Sequence, residues 1–213
     1  METGWAAEHL QVIRTLMERS AIYRRALAPV MLLAGGVGLA AAVIGTLCEL
    51  QAPRAFIGFW LAVSVVPSAG AFLLIRRQAL RDAEPFWSPP TRRVVQAVLP
   101  PFAAAVLAGL ATAVIVDARM EPVLANRWAT QLLPVAWVVL YGCASHAAGF
   151  FMPRGIRLFG WLFVAGGCAT FGLLAVGGGG FPPGHAIMGF FFGALHLAYG
   201  GYLRFTELRT NAA

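Results

Sequence analysis

Residues 26–47 read ALAPVMLLAGGVGLAAAVIGTL, a stretch of twenty-two positions without one charged side chain. A bilayer core of about 30 Å needs about 20 apolar residues in helical form, so this stretch predicts a membrane-spanning helix. Five similar stretches follow it, at about residues 55–75, 94–116, 128–151, 156–176 and 185–203. They lack the period-two alternation that is typical of barrel strands. The predicted fold class is an all-α integral membrane protein, a bundle of six transmembrane helices.

The composition of the whole chain also predicts a membrane protein. Hydrophobic residues make up 59% of the 213 positions and charged residues only 12%, and the mean hydropathy is +0.73. A soluble domain carries about 25% charged residues, so this chain has too few charges to cover a surface in water. The net charge of +7 comes from arginines at the span ends, and no nucleic-acid partner is predicted.

The distribution of arginines predicts the orientation of the chain. If the N-terminus is cytoplasmic, thirteen of the sixteen arginines fall on the cytoplasmic side, as the positive-inside rule requires. An even number of spans then places both termini in the cytoplasm, and we expect the inner membrane of a bacterium. Residues 1–25 have apolar positions at three- and four-residue spacing, which predicts an amphipathic interfacial helix. The six-span domain covers 26–204, and a cytoplasmic tail covers 205–213.

The acidic residues argue against several classes of function. All nine lie at or beyond the ends of the predicted spans, whereas ion-coupled transporters carry carboxylates inside the membrane. The chain also lacks the H-E-x-x-H, G-x-S-x-G and P-loop motifs. Cys143 and His146 share a helix face but are too few to hold a metal ion. No catalytic residue and no metal site is predicted. Whether the chain is an enzyme stays open, and the sequence favours a non-enzymatic role.

Two histidines inside the predicted spans are the basis of the site hypothesis. His146 and His196 each precede a span-end arginine by eight residues, which places both about 12 Å inside the cytoplasmic boundary. Each histidine has a glycine about one turn before it and one turn after it. These glycines are Gly142, Gly149, Gly193 and Gly200.

The glycines clear space beside each imidazole, and two facing imidazoles are the ligands of a low-spin haem iron. A cofactor-binding pocket for haem, a quinone or a lipid is therefore predicted between the fourth and sixth spans, in the inner leaflet. The alternative is a structural role, in which each histidine forms a hydrogen bond across helices with a serine, a tyrosine or a carbonyl group.

Prolines reach the same layer of the membrane in the second and third spans. Proline removes a helical hydrogen bond and kinks the helix, and in lipid the freed carbonyl must find a partner or line a cavity. The predicted kinks that line the pocket are at Pro67, Pro100 and Pro101. Polar edges are expected from Ser64, Ser68, Tyr141, Ser145 and Tyr199.

A basic cluster flanks the loop between the second and third spans. Its members are Arg76, Arg77, Arg81, Arg92 and Arg93. Such a cluster next to a span predicts contact with anionic lipid, and orientation of the chain is the simpler interpretation. Gly189 and Gly193 form a GxxxG pattern in the sixth span. That pattern favours close packing within the bundle, or else a homodimer or a larger membrane complex.

The function predicted from these features is that of a small non-enzymatic membrane subunit or scaffold with a ligand pocket between the fourth and sixth spans. The cofactor stays open, with haem as the named candidate. The alternative is a transporter or permease for a neutral or apolar solute, in which the spans that contain proline line the route.

Overall fold

The computed structural model describes residues 26–83, 85–118, 120–176 and 183–212, and within these ranges the regular structure is helical without strands. Six of its helices are long and apolar enough to cross a membrane. The predicted all-α, six-span architecture is confirmed at this level. The interfacial helix predicted for residues 1–25 lies outside the described ranges.

The six spanning helices follow one another along the chain. They are α1 (Ala26–Leu47), α2 (Pro53–Arg81), α3 (Pro89–Ala118), α4 (Pro122–Ala148), α5 (Arg154–Val176) and α6 (residues 184–212). Two of these helices contain a π-helical segment, Trp128–Leu132 in α4 and Gly189–Leu195 in α6. A π-helical turn holds more residues than an α-helical turn. It therefore changes the face that the following residues present to their neighbours.

Prolines begin three of the helices. Pro53, Pro89 and Pro122 are the first residues of α2, α3 and α4, where the missing N–H needs no helical partner. In α4 the preceding carboxylate, Glu121, accepts hydrogen bonds from the N–H groups of residues 123 and 124 at 3.1 and 3.2 Å. The predicted spans leave residues 76–93 as a loop. Instead α2 continues to Arg81, and α3 begins at Pro89 because proline suits the first turn of a helix.

The ends of the helices lie on two sides of the bundle. The connections from α2 to α3 and from α4 to α5 lie on one side, which we call the arginine-rich side. On the opposite side, arginines bind helix carbonyls: Arg54 Nε donates to the carbonyl of Ala113 at 3.3 Å, and Arg127 Nη2 donates to that of Leu174 at 3.0 Å. The first bond joins α2 to α3, and the second joins α4 to α5.

Burial is uneven across the bundle. In their most apolar stretches, only 11% of the residues of α2 and 6% of those of α3 are buried, against 28% to 44% in the other four helices. The buried residues Leu27, Val138 and Phe163 form part of a cluster that joins α1, α4 and α5 with α6. The pair α2–α3 is therefore peripheral, and it packs against a better-buried set of four helices.

Candidate functional site

His196 is buried in the bundle, and hydrogen bonds engage both of its ring nitrogens. Its Nδ1 lies 3.0 Å from the carbonyl oxygen of Phe191, and its Nε2 lies 2.7 Å from the hydroxyl oxygen of Tyr141 in α4. A carbonyl oxygen can only accept, so Nδ1 carries the proton and donates it. In the neutral imidazole, Nε2 then accepts the hydrogen bond of the Tyr141 hydroxyl. This bond joins α4 to α6.

Aromatic rings fill the space around His196. The rings of Phe159 and Phe163 in α5 meet it edge-on at centroid distances of 5.1 and 5.4 Å, and Phe192 stacks on it at 6.0 Å. A haem iron at this position would have to displace the Tyr141 hydroxyl from Nε2. The arrangement is that of the structural histidine which the sequence left as the alternative.

His146 lies at the same level of the bundle as His196, but it faces a different neighbour. Its ring is 5.3 Å from that of Trp161 in α5, whereas His196 contacts the rings of Phe159 and Phe163. Along α5, residue 161 lies midway between 159 and 163 and points to another face of the helix. The described ring contacts of the two histidines share no residue, so the structure does not bring the two imidazoles together.

The Nδ1 atom of His146 is the one buried side-chain nitrogen or oxygen without a hydrogen-bond partner among the described residues. The ring also meets Phe150, four residues later and just beyond the end of α4, at a centroid distance of 5.3 Å. Phe150 and Trp161 are 64% and 57% exposed, so this group opens onto the surface of the bundle. The guanidinium of Arg157 lies 5.3 Å from the centroid of the Phe150 ring. We call His146, Phe150, Arg157 and Trp161 the His146 cleft.

The four glycines that flank the histidines lie in two separate helix contacts. A Cβ atom on Gly142 would come within 2.8 Å of the Gly160 carbonyl oxygen in α5, and one on Gly149 would come within 2.7 Å of the backbone nitrogen of Arg157.

The other two glycines pack on α1 of the same chain. A Cβ on Gly193 would lie 2.9 Å from the Leu39 nitrogen, and one on Gly200 would lie 3.0 Å from the Leu32 nitrogen. The first glycine of the GxxxG pattern, Gly189, likewise faces Ala42 of α1. All four flanking glycines therefore allow close approach of helices, two at α4–α5 and two at α1–α6.

The prolines predicted to kink the pocket lie on the peripheral helix pair. α2 continues through Pro67, and α3 continues through Pro100 and Pro101. The Pro100 side chain is exposed, and the other two are half-buried. The nearby Ser64 and Ser68 hydroxyls donate to carbonyls of their own helix at 2.7 Å. None of the described contacts of His146 or His196 is with these prolines or serines.

The five arginines of the basic cluster lie at the ends of α2 and α3, and all are exposed. Beside them, Phe86 packs edge-on against Phe72 of α2 at 5.1 Å, and the adjacent Trp87 is 58% exposed. An exposed indole at the end of a span is typical of a residue at the level of the lipid head groups.

Sequence reasoning missed the site of His185, which is buried near the opposite side. Trp60 Nε1 in α2 donates to its Nδ1 at 3.1 Å, and its Nε2 then donates to the Leu50 carbonyl at 3.1 Å. A Cβ on Gly45 of α1 would overlap the imidazole. This histidine thus ties α6 to α2 and to the residues after α1. Each nitrogen of a buried imidazole needs a hydrogen-bond partner. The sequence offered one for His185, because Trp60 lies near the same end of a neighbouring span.

Within the described ranges, no three His, Cys, Asp or Glu side chains form a group that could hold a metal ion. No family model matches the chain, and neither a curated protein nor a solved structure is significantly similar to it. The function is therefore inferred from the chemistry of its own residues.

Proposed function

We propose that this chain is a non-enzymatic membrane subunit that binds anionic lipid head groups at the arginine-rich end of α2 and α3. The proposal places both termini in the cytoplasm and the arginines at the inner leaflet of a bacterial inner membrane. The observation that carries it is the exposure of all five arginines at the ends of the two least buried helices.

Arginine suits this role because of its shape and charge. Its planar guanidinium presents five N–H donors in a fork that matches phosphate oxygens, and it stays charged at any physiological pH. Each basic residue near an anionic membrane surface contributes about 1 kcal/mol of attraction. Because all five arginine side chains are exposed, their donors are within reach of lipid phosphates.

Aromatic side chains support this placement of the arginines. The exposed Trp87 lies in the short connection between α2 and α3, and tryptophan prefers the membrane–water interface. The Phe86–Phe72 contact holds the connection against α2. The arginines on both flanks would thereby be held at head-group depth.

The peripheral position of α2–α3 fits a subunit that presents a lipid-covered face. The hydrogen bonds of His196 and His185 join α6 to α4 and to α2. Such bonds between helices stabilise a bundle without any chemical step. A permease would need the prolines to line an interior route, whereas Pro100 is exposed on the outside of α3.

Native mass spectrometry of the delipidated protein tests the proposal directly. The protein would be titrated with phosphatidylglycerol and with phosphatidylcholine of the same acyl chains. We expect tighter binding of phosphatidylglycerol, and a several-fold loss of that preference in the double variant Arg92→Gln/Arg93→Gln. Arg204→Gln in α6 removes an exposed arginine outside the cluster and serves as the matched control. An unchanged preference in the double variant would overturn the proposal.

A second readout separates lipid binding from simple orientation of the chain. Cys48 is exposed between α1 and α2, on the opposite side, so an impermeant maleimide added to spheroplasts should label it when the termini are cytoplasmic. If the arginines only orient the chain, the double variant changes Cys48 labelling and keeps its lipid preference. Lost preference with unchanged labelling supports the proposal.

A further inference from the structure

We propose that the His146 cleft is a second lipid site, which binds a glycerophospholipid with its phosphate at Arg157 and an ester carbonyl at His146. This site lies between α4 and α5 and does not depend on the arginine cluster at α2–α3. Four observations carry it: the arrangement of the cleft in two levels, an arginine without an acceptor, an imidazole without a partner, and a surface of small residues deeper in the membrane.

The cleft has two levels because α4 and α5 run antiparallel. Phe150 and Arg157 form the level nearer the arginine-rich side, where the guanidinium lies over the ring. His146 and Trp161 form the second level, with their rings 5.3 Å apart. Along α5, Trp161 is four positions after Arg157, which is about 6 Å along the helix. A polar head therefore meets Arg157 first and His146 one turn deeper.

Arg157 is suited to hold the phosphate. Its side chain is half-buried, and its stem lies against α4 at Gly149, where a side chain would collide with it. Its guanidinium is held over the face of Phe150, and no described residue accepts a hydrogen bond from it. A cation–π contact uses the face of the guanidinium or one edge. The other N–H groups are left for a charge-assisted bond to a phosphodiester.

His146 is suited to hold an ester carbonyl. Its Nδ1 is sealed off and has no partner, and no described residue bonds to its Nε2. Because Nδ1 is sealed off, a ligand in the cleft can bond only to Nε2. When Nε2 carries the proton, it can donate to an acceptor that enters from the membrane. In a glycerophospholipid the ester carbonyls lie on the acyl side of the phosphate, which matches the order of Arg157 and His146.

Small residues continue the cleft toward the middle of the membrane. Beyond the second level, Cys143 in α4 and Ala165 and Cys168 in α5 are all exposed. Cys143 is three residues from His146, and Ala165 and Cys168 are four and seven residues from the exposed Trp161, so they continue the same two helix faces with small side chains. An acyl chain fits such a surface, since it needs apolar contact and no hydrogen bond. A quinone would engage His146 and leave Arg157 without an acceptor, so the phospholipid accounts for more of the site.

The test compares lipids that carry different parts of the head. Delipidated protein would be titrated, by native mass spectrometry, with phosphatidylcholine, with diacylglycerol of the same acyl chains, and with a ubiquinone. We expect phosphatidylcholine to bind about tenfold tighter than diacylglycerol, because one charge-assisted hydrogen bond is worth about that factor. Displacement of bound phosphatidylcholine by an equal concentration of ubiquinone would overturn the proposal.

Three variants assign the two contacts. Arg157→Gln should remove the preference for phosphatidylcholine and leave diacylglycerol binding unchanged. His146→Leu should weaken phosphatidylcholine and diacylglycerol alike, by several-fold. Arg204→Gln is the control for general loss of charge. The proposal is wrong if both lipids bind the Arg157 and His146 variants as they bind the unmodified protein.

A measurement on the unmodified chain covers the case in which a variant fails to fold. Phosphatidylcholine with a diazirine on one acyl chain would be photo-crosslinked to the protein, and the adducts located by peptide mapping. We expect adducts on residues 143–168, and we expect them to persist in Arg92→Gln/Arg93→Gln. Adducts confined to α2 and α3 would overturn the proposal and leave the arginine cluster as the lipid site.

Discussion

The two faces of helix α4 hold a polar group in opposite ways. On the face toward α6, the Tyr141 hydroxyl bonds to His196, whose other nitrogen bonds to the Phe191 carbonyl. On the face toward α5, His146 has a buried Nδ1 without a partner and stands beside exposed aromatic rings. The comparison teaches that burial alone does not identify a site. A histidine with two partners joins helices, and a histidine with none has capacity for a ligand.

The same substitution at the two histidines gives the sharpest contrast, and His196→Leu should have the largest effect. Leucine has a similar volume, so the main change is the loss of partners for the Tyr141 hydroxyl and the Phe191 carbonyl. Unpaired buried polar groups cost about 1–3 kcal/mol each, and hydrogen bonds between membrane helices measure about 0.6–1.7 kcal/mol. We expect the free energy of unfolding to fall by about 2 kcal/mol in an SDS titration followed by circular dichroism. An unchanged midpoint would show that the bond contributes nothing.

Tyr141→Phe should have an intermediate effect in the same titration. The change removes one hydroxyl and leaves Nε2 of His196 without its donor, while the ring contacts with Phe163 and Phe192 stay. We expect a loss of about 1 kcal/mol. In the double variant Tyr141→Phe/His196→Leu the losses should be less than additive, because both changes break one bond. Full additivity would contradict a direct Tyr141–His196 interaction.

His146→Leu should have the smallest effect on stability. The imidazole has no hydrogen bond to lose among the described residues, and leucine keeps the apolar contact with Phe150 and Trp161. We expect the free energy of unfolding of the delipidated protein to change by less than about 0.5 kcal/mol. A loss as large as that of His196→Leu would place His146 in the same structural class and erase the contrast between the two faces.

Much of the fold was accessible from the sequence. The first span, predicted at residues 26–47, ends at Leu47 in the structure, and the described residues of its helix begin at Ala26; the other five spans overlap their predicted ranges. The differences lie at helix ends, where α2 and α3 extend beyond their apolar stretches to Arg81 and back to Pro89. The length of an apolar stretch predicts only the part of a helix that lies in lipid. The helix continues beyond that part as long as its backbone N–H and C=O groups form helical hydrogen bonds.

The candidate site was predictable only in part. The level of His146 and His196 follows from counting residues, and both rings lie beside residues 159–163 of α5. The direction in which each ring points does not follow from counting. A π-helical segment precedes each histidine along its helix, Trp128–Leu132 before His146 and Gly189–Leu195 before His196. An extra residue in a turn rotates all later side chains about the helix axis. The apolar sequence of these segments does not predict where such a turn occurs.

The flanking glycines also show what the sequence predicts and what it does not. Their positions one turn from each histidine are a property of the chain, and the sequence interpretation used them to clear space for a ligand. In the structure they admit neighbouring backbones instead, Gly142 beside Gly160 of α5 and Gly193 beside Leu39 of α1. A glycine permits close approach, but its position in the sequence does not predict whether a ligand or a neighbouring helix backbone approaches it.

The sequence by itself determined the number of spans, their order and the position of each polar group along its helix, because the apolar length and the rise per residue are local properties of a helix. Only the tertiary structure decided which helices are neighbours, and so which imidazole finds a tyrosine and which finds none. The physical reason is that depth is counted along one helix, whereas a hydrogen bond between helices depends on the rotation of two helices about their axes.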